Sequence, residues 1–207
     1  MDMRTLVFGG TFDPPHTAHT TLPPLVAARL GCARIIYIPA AANPLKSDLD
    51  VTPARHRLAM LELAVADVPG AQISTIELDR PGPSYMVDTL ELLHGDVDDD
   101  DDTRFVLLIG SDQAMAFHDW KDWRRIIELA TPAVMVRPPL DPAAFGRQLA
   151  EHYDPDEVER WLGYAVAVPQ LDVDATTVRR RLASGGDVRG LLQPNVLAYI
   201  REHGLYG

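Results

Sequence analysis

The sequence predicts an α/β fold, with a doubly wound, mostly parallel sheet flanked by helices. Short apolar runs alternate with longer amphipathic stretches along the whole chain, the pattern of strands joined by crossover helices. The runs are bounded by Gly, Pro or Asp, and several are continuously apolar, as strands covered on both faces are. With 207 residues, 46% hydrophobic and 24% charged, the chain is large enough to bury a sizeable core.

In chain order the strand candidates are Thr5 to Phe8, Arg34 to Ile38, Gln72 to Glu77, Arg104 to Ile109, Ala133 to Val136 and Tyr164 to Val168. Helices fall between them. An apolar helical stretch follows His19. Thr52-Pro53 reads as an N-cap followed by proline at the first helical position, opening a helix to Ala66. Ser84 is a cap candidate for a helix to Leu93 that ends near Gly95. Asp122 to Ala130 and Asp154 to Trp161 have helical spacing, and Gln193-Pro194 to His203 is a helix closed by Gly204. Neither a repeat nor a linker interrupts the chain, so residues 1–207 are read as one domain with a helical portion from about residue 174.

Lys plus Arg number 19 against 30 Asp plus Glu, a formal net charge of −11. Six of those acids cluster at Asp96 and Asp98 to Asp102, an expected solvated loop. This balance disfavours nucleic acid and anionic membrane as partners, while leaving room for a small anion in a local basic pocket. Cys32 is the single cysteine, which excludes an intrachain disulfide, a zinc ribbon or a CxxC redox site. The N-terminal residues reach Gly9 without a secretory apolar core, and no apolar run approaches the roughly 20 residues that span a bilayer. A cytoplasmic protein is expected.

The chemistry concentrates at Gly9-Gly10-Thr11-Phe12-Asp13-Pro14-Pro15-His16-Thr17-Ala18-His19, directly after the first strand. In an open α/β sheet that is where ligands bind. Two glycines admit close backbone approach, and a helix start offers free N–H groups to an anion. The string fits neither GxGxxG nor GxxxxGK[ST]. His16 and His19 share a helix face if the helix has begun by His16. Spacing alone leaves three readings: two donors to one phosphate, surface or capping histidines, or half of a metal site. The last lacks a third ligand at a familiar spacing.

The string GGTFDPPHTAH closely resembles the N-terminal signature of the nucleotidylyltransferase superfamily, a His-x-Gly-His tetrad after a Gly-rich loop, with Ala18 in place of the usual Gly. Its GGTFDP form is most similar to the bacterial nicotinate-nucleotide adenylyltransferases. The resemblance runs over essentially the whole chain. Ile38-Pro39 to Lys46 is similar to that family's strand-end loop, with Lys46 matching and Leu45 replacing a His. Pro83-Ser84-Tyr85-Met86-Val87-Asp88-Thr89-Leu90 resembles its Ser-Tyr-Thr-x-x-Thr-Leu segment, with Met86 replacing a Thr. Gly110-Ser111-Asp112 and Trp120-Lys121 resemble its Gly-x-Asp strand end and Trp loop, Arg137-Pro138 its Arg-Pro pair, and Val173 to Arg179 its Ile-Ser-Ser/Ala-Thr-x-x-Arg helix start. Asp174 stands where that family has a phosphate-contacting Ser.

The resemblance implies a Rossmann-like nucleotidylyltransferase fold. It also implies transfer of AMP from ATP to nicotinate mononucleotide, giving the dinucleotide and pyrophosphate in NAD biosynthesis. His16 and His19 would then be catalytic, acting on the α-phosphate. Gly9, Gly10, Thr11, Phe12, Gly110, Asp112, Arg137, Thr176 and Arg179 would bind ATP. Lys46, Ser84, Tyr85, Met86, Trp120 and Lys121 would bind the acceptor, with Trp120 stacked on the pyridine ring and α-helical amides near Ser84 on the carboxylate. Mg²⁺ would arrive with ATP. The alternatives are the same reaction on nicotinamide mononucleotide or another phosphate acceptor, and a non-catalytic nucleotide-binding module. On composition alone Trp120 and Trp123 are core candidates, and Trp123, at helical spacing from Ile126 and Ile127, keeps that reading.

Overall fold

The computed structural model describes residues 3–41, 51–95 and 103–207. Six parallel strands form one sheet: β1 (Met3–Gly10), β2 (Cys32–Pro39), β3 (Ala71–Ile73), β4 (Thr103–Gly110), β5 (Ala130–Val136) and β6 (Ala165–Ala167), in the spatial order β3-β2-β1-β4-β5-β6. The helices are α1 (Thr17–Leu30), α2 (Ala54–Val65), α3 (Met86–Gly95), α4 (Ser111–Met115), α5 (Trp123–Leu129), α6 (Pro142–Leu149), α7 (Pro155–Gly163), α8 (Ala175–Ala183) and α9 (Pro194–Glu202).

Strand periodicity explains why the central runs are apolar throughout. Leu6 and Phe8 of β1, with Val106 and Leu108 of β4, enter one core together with α1, α2, α8 and α9. Their sequence neighbours Val7, Phe105, Leu107 and Ile109 enter the opposite core with α3, α5, α6 and α7. Both sheet faces are covered, so neither set of alternate residues needs to be polar. None of the described helices is long and apolar enough to cross a membrane.

The strand order reverses between β1 and β4, the place where such sheets bind ligands. Pairing of β1 with β4 runs from Met3 with Thr103 to Val7 with Leu107. On the outer sides it continues to Gly10 with Pro39 and to Gly110 with Met135. The last three residues of β1 and β4 therefore part from each other, and a crevice opens with Gly9-Gly10 on one wall and Gly110 on the other.

Three sequence expectations shift. The run Gln72 to Glu77 stays in the sheet only to Ile73. Beyond it Ser74 N–H still reaches the Tyr37 carbonyl (3.0 Å), but Thr75 then closes a turn, its carbonyl accepting Asp79 N–H (2.9 Å) and its hydroxyl bonding the Asp79 carboxylate. Ser84 does not cap α3, which begins at Met86; its hydroxyl instead accepts Ala41 N–H at 3.1 Å. Pro53, not Thr52, is at the N-cap position of α2, and it makes no side-chain capping bond; Thr52 N–H donates to Asp13. The helix α6 is an addition, capped by Asp141 and opened by Pro142. The acidic run at residues 98–102 lies outside the described residues.

Candidate active site

The β1 loop begins with two glycines whose lack of a side chain is used. A Cβ on Gly9 would come within 3.1 Å of the Met86 Cε, and one on Gly10 within 3.1 Å of the Phe12 ring. Phe12 itself is buried, 2% exposed, in the left-handed backbone region at φ 52, a conformation that a bulky residue keeps only when its surroundings hold it. Those surroundings flank it on both sides. The buried Arg57 donates to the Thr11 carbonyl at 2.8 Å and to the Thr52 carbonyl at 2.9 Å. Arg179 donates to the Asp13 carbonyl at 2.6 Å. Asp13 is 4% exposed, and its carboxylate accepts Thr52 N–H at 3.3 Å and the Tyr206 hydroxyl at 2.5 Å.

His16 is the N-cap of α1, and its ring stacks on that of His19 with centroids 3.7 Å apart. The His16 backbone N–H donates to His19 Nδ1 at 3.1 Å, so the neutral His19 ring carries its proton on Nε2. Pro23 has no N–H to offer the His19 carbonyl four residues earlier; the Tyr37 hydroxyl takes that acceptor at 3.0 Å. The His19 ring also meets Phe12 edge-on, centroids 5.1 Å apart. Burial disfavours the charged form of both rings. His16 is pushed down to about 4, against a smaller upward pull from Asp174, and His19 is held well below the usual histidine range by burial and by His16. His16 Nδ1 is buried without a hydrogen-bond partner among the described residues.

The start of α8 faces this pair. Asp174 is its N-cap, with one carboxylate oxygen accepting Thr177 N–H at 2.7 Å and the other the Thr177 hydroxyl at 2.8 Å. These bonds hold the Asp174 carboxyl below the usual carboxylate range. The acid is thus turned onto its own helix terminus, which accounts for an Asp in a position where a capping Ser would also serve. Thr176 accepts from Arg179 at 3.4 Å, so the same arginine spans α8 and the β1 loop.

On the other wall, the Asp112 carboxylate folds back over Gly110, where a side chain would collide with it, and Gln113 accepts Gly110 N–H at 2.9 Å. Trp120 is half-buried, one ring face stacked on Phe117 with centroids 4.6 Å apart. The adjacent Lys121 bonds Asp88 at 2.9 Å and lies 4.8 Å from the Tyr85 ring centre, joining the Trp loop to the start of α3.

A family model described as cytidylyltransferase-like matches residues 7–181. The chain belongs to the cytidylyltransferase-like family. A relative from Roseiflexus sp. (strain RS-1), named "Probable nicotinate-nucleotide adenylyltransferase", is 40% identical over 97% of this chain and 96% of its own length. One of the same name from Chromobacterium violaceum is 37% identical over the full length of both. Among solved structures, the Plasmodium falciparum nicotinic acid mononucleotide adenylyltransferase complexed with NaAD matches with a TM-score of 0.73 at 15% identity, covering 99% of this chain and 97% of that one. At that identity the match speaks for the fold.

Within this family frame, the geometry gathers most of the residues singled out from sequence. Gly9, Gly10, Thr11, Phe12, His16 and His19 lie along one stretch from the end of β1 to the first turn of α1, Thr176 and Arg179 are tied to it, and Met86 touches it at Gly9. Ser84, Tyr85, Trp120 and Lys121 form a second group around the start of α3. Arg137 stands exposed just past β5. Lys46 and Leu45 lie outside the described residues. Trp123 is only partly buried, beside Tyr153 and beneath Arg124, whereas Trp161 is the tryptophan sealed in the core at 2% exposure.

The sequence reading missed the residues that hold the loop from behind. Arg57, Tyr37 and Tyr206 carry no local signal, and each acts on a carbonyl or carboxylate far away along the chain. Glu77 was also missed. It is buried, accepts the Thr89 hydroxyl at 2.8 Å, and has its carboxyl pushed up by burial. An acid beside a run of turn residues, Arg80 to Pro83, was the available hint.

Proposed function

We propose that this chain is a nicotinate-nucleotide adenylyltransferase, joining the AMP part of ATP to nicotinate mononucleotide and releasing pyrophosphate. The observation that supports it most is the His16–His19 stack, with His16 buried and His19 half-buried, at the switch point between β1 and β4, with an unpartnered ring nitrogen and a glycine-lined crevice beside it. The names carried by full-length relatives direct the reading to this acceptor.

In this reaction an oxygen of the acceptor's 5′-phosphate bonds to the α-phosphorus of ATP, and the bond from that phosphorus to the β-phosphate bridging oxygen breaks. The electron pair leaves with pyrophosphate. The attacking phosphate is already an anion near neutral pH, so the protein need not remove a proton. Its task is to align two anions and to stabilise the charge that builds between them. His16 and His19 enter as neutral donors, His19 through Nε2–H. An incoming phosphate raises their basicity, so the pair can take up a proton where the negative charge develops. Gly9, Gly10, Thr11 and Phe12 shape the cradle. Gly110, Asp112, Arg137, Thr176 and Arg179 serve the nucleotide, and Lys46 adds charge at the acceptor phosphate. Ser84, Tyr85, Met86, Trp120 and Lys121 form the pyridine wall, with an indole face for the ring.

Magnesium belongs to the substrate in this account, chelated by the triphosphate. Among the described residues no group of three or more His, Cys, Asp and Glu side chains could hold a metal ion. The reaction is assigned to the cytoplasm.

The test is pyrophosphate release with Mg-ATP, comparing nicotinate mononucleotide with its amide analogue. Release with the acid alone is expected. Equal release with the amide would remove the acid from the assignment, and release with neither, while ATP still binds, would leave a nucleotide-binding module.

A further inference from the structure

The β1 loop is tied to a part of the chain that none of the catalytic motifs includes. After α9 the chain turns at Gly204, in the left-handed region at φ 59, and Leu205 N–H returns to the Ile200 carbonyl at 3.0 Å. Tyr206 follows, itself left-handed at φ 63, and its hydroxyl reaches Asp13 Oδ1 at 2.5 Å, 193 residues away in sequence. Thr52 N–H donates to the other Asp13 oxygen at 3.3 Å. Of the three non-glycine residues with positive φ among those described, Phe12 and Tyr206 stand at the two ends of this short run of contacts.

We propose that Tyr206 is a positioning residue for the histidine pair, acting through its hydrogen bond to Asp13. Asp13 follows Phe12 directly. Phe12 keeps its left-handed backbone only while the residues on either side are held, Thr11 by Arg57 and Asp13 by Arg179 and Tyr206. The Phe12 ring in turn supports the edge of the His19 ring. A bond between a phenol and a buried carboxylate is charge-assisted and strong, and removing its donor leaves a buried acceptor poorly satisfied. The loop then gains alternatives to the one backbone arrangement in which both rings face the crevice. Tyr206 touches neither substrate in this account. It sets how often the loop is in its working form, so the loss falls on kcat.

The kinetic part rests on the adenylyltransferase reading; the exchange part does not. Tyr206→Phe keeps the ring and removes only the hydroxyl. In the substrate-free protein, amide hydrogen exchange at residues 11–19 is expected to quicken by about tenfold in this variant, as local opening becomes easier. With Mg-ATP and nicotinate mononucleotide, kcat is expected to fall by about tenfold with a smaller change in either KM. Tyr206→Ala should fall at least as far. Tyr199→Phe, which removes the 2.9 Å bond from α9 to His56 on α2, is the control for general loosening of this end of the chain. It should leave exchange at 11–19 as in the unmodified protein. Unchanged exchange in Tyr206→Phe would overturn the proposal. So would impairment of Tyr206→Ala alone, which would assign the effect to ring packing, or equal quickening in Tyr199→Phe. If the unmodified protein turns over neither acceptor, the functional reading fails and the exchange comparison decides this proposal by itself.

Discussion

The two walls of the crevice are built by different means. The β1 loop and the start of α1 are held by groups converging from three other elements and the segment after α9: Arg57 of α2, Tyr37 of β2, Arg179 of α8 and Tyr206. Its two histidines are held toward the neutral form, His16 buried and His19 half-buried. The acceptor wall is a half-exposed indole and an exposed ion pair, with Lys121 and Asp88 side chains 45% and 34% accessible. An ion pair of that kind is screened by solvent and contributes little to stability. The contrast matches the work assigned to each wall. Charge stabilisation at a reacting phosphorus acts only where donors are fixed in advance. Recognition of a flat ring needs area more than rigidity, and a wall that can shift costs it little.

Two substitutions sharpen that contrast. His19→Ala carries the largest expected effect: kcat should fall by about two to three orders of magnitude, the usual cost of removing one preorganised donor. Far-ultraviolet circular dichroism should stay unchanged, because the ring meets Phe12 edge-on and accepts the His16 N–H but takes no part in the backbone ladders of β1 and α1. Trp120→Ala should instead raise KM for nicotinate mononucleotide by about tenfold, the scale of a lost ring stack, with kcat within about twofold. Steady-state kinetics on the two variants gives both numbers. A Trp120 effect confined to kcat would erase the distinction between the walls.

The fold was legible because its evidence is local. Apolar runs on β1, β4 and β5 read as buried strands from composition alone, and the caps at Asp154 and Gly204 mark real helix ends. The run after Gln72 misled because Ile73, Thr75 and Ile76 are β-branched residues with strand propensity, while hydrogen bonds of Thr75 and Asp79 turn the chain away. Helix α6 was signalled by Asp141-Pro142, but Gly146 in its interior weakens the pattern. At the site, the histidines and glycines stand within eleven residues of one another and could be read together. Tyr206 and Asp13 are 193 residues apart, and Arg57 and Thr11 are 46 apart. Nothing in either segment announces the other, because the contact exists only once the sheet has brought the ends of β1 and α9 to one side. Asp174 shows a subtler gap. By resemblance the sequence sets an acid where a phosphate-contacting Ser is expected, while the structure shows a cap bonded to Thr177.

A loop that stores two neutral imidazoles before substrate arrives is the centre of this account, and it has a pH signature in the free protein. A histidine held below its ordinary 6.5 stabilises the fold above about that pH, and the contribution is lost as the pH falls toward 4, where the native ring begins to protonate. The most direct test is a histidine-resolved nuclear magnetic resonance titration without ligands, from pH 8 down to the limit of the fold. The account predicts that His16 stays neutral until about pH 4 and that His19 titrates well below the usual histidine range. A midpoint near 6.5 for either ring would show that the pair is solvated and not preformed, and would contradict the account.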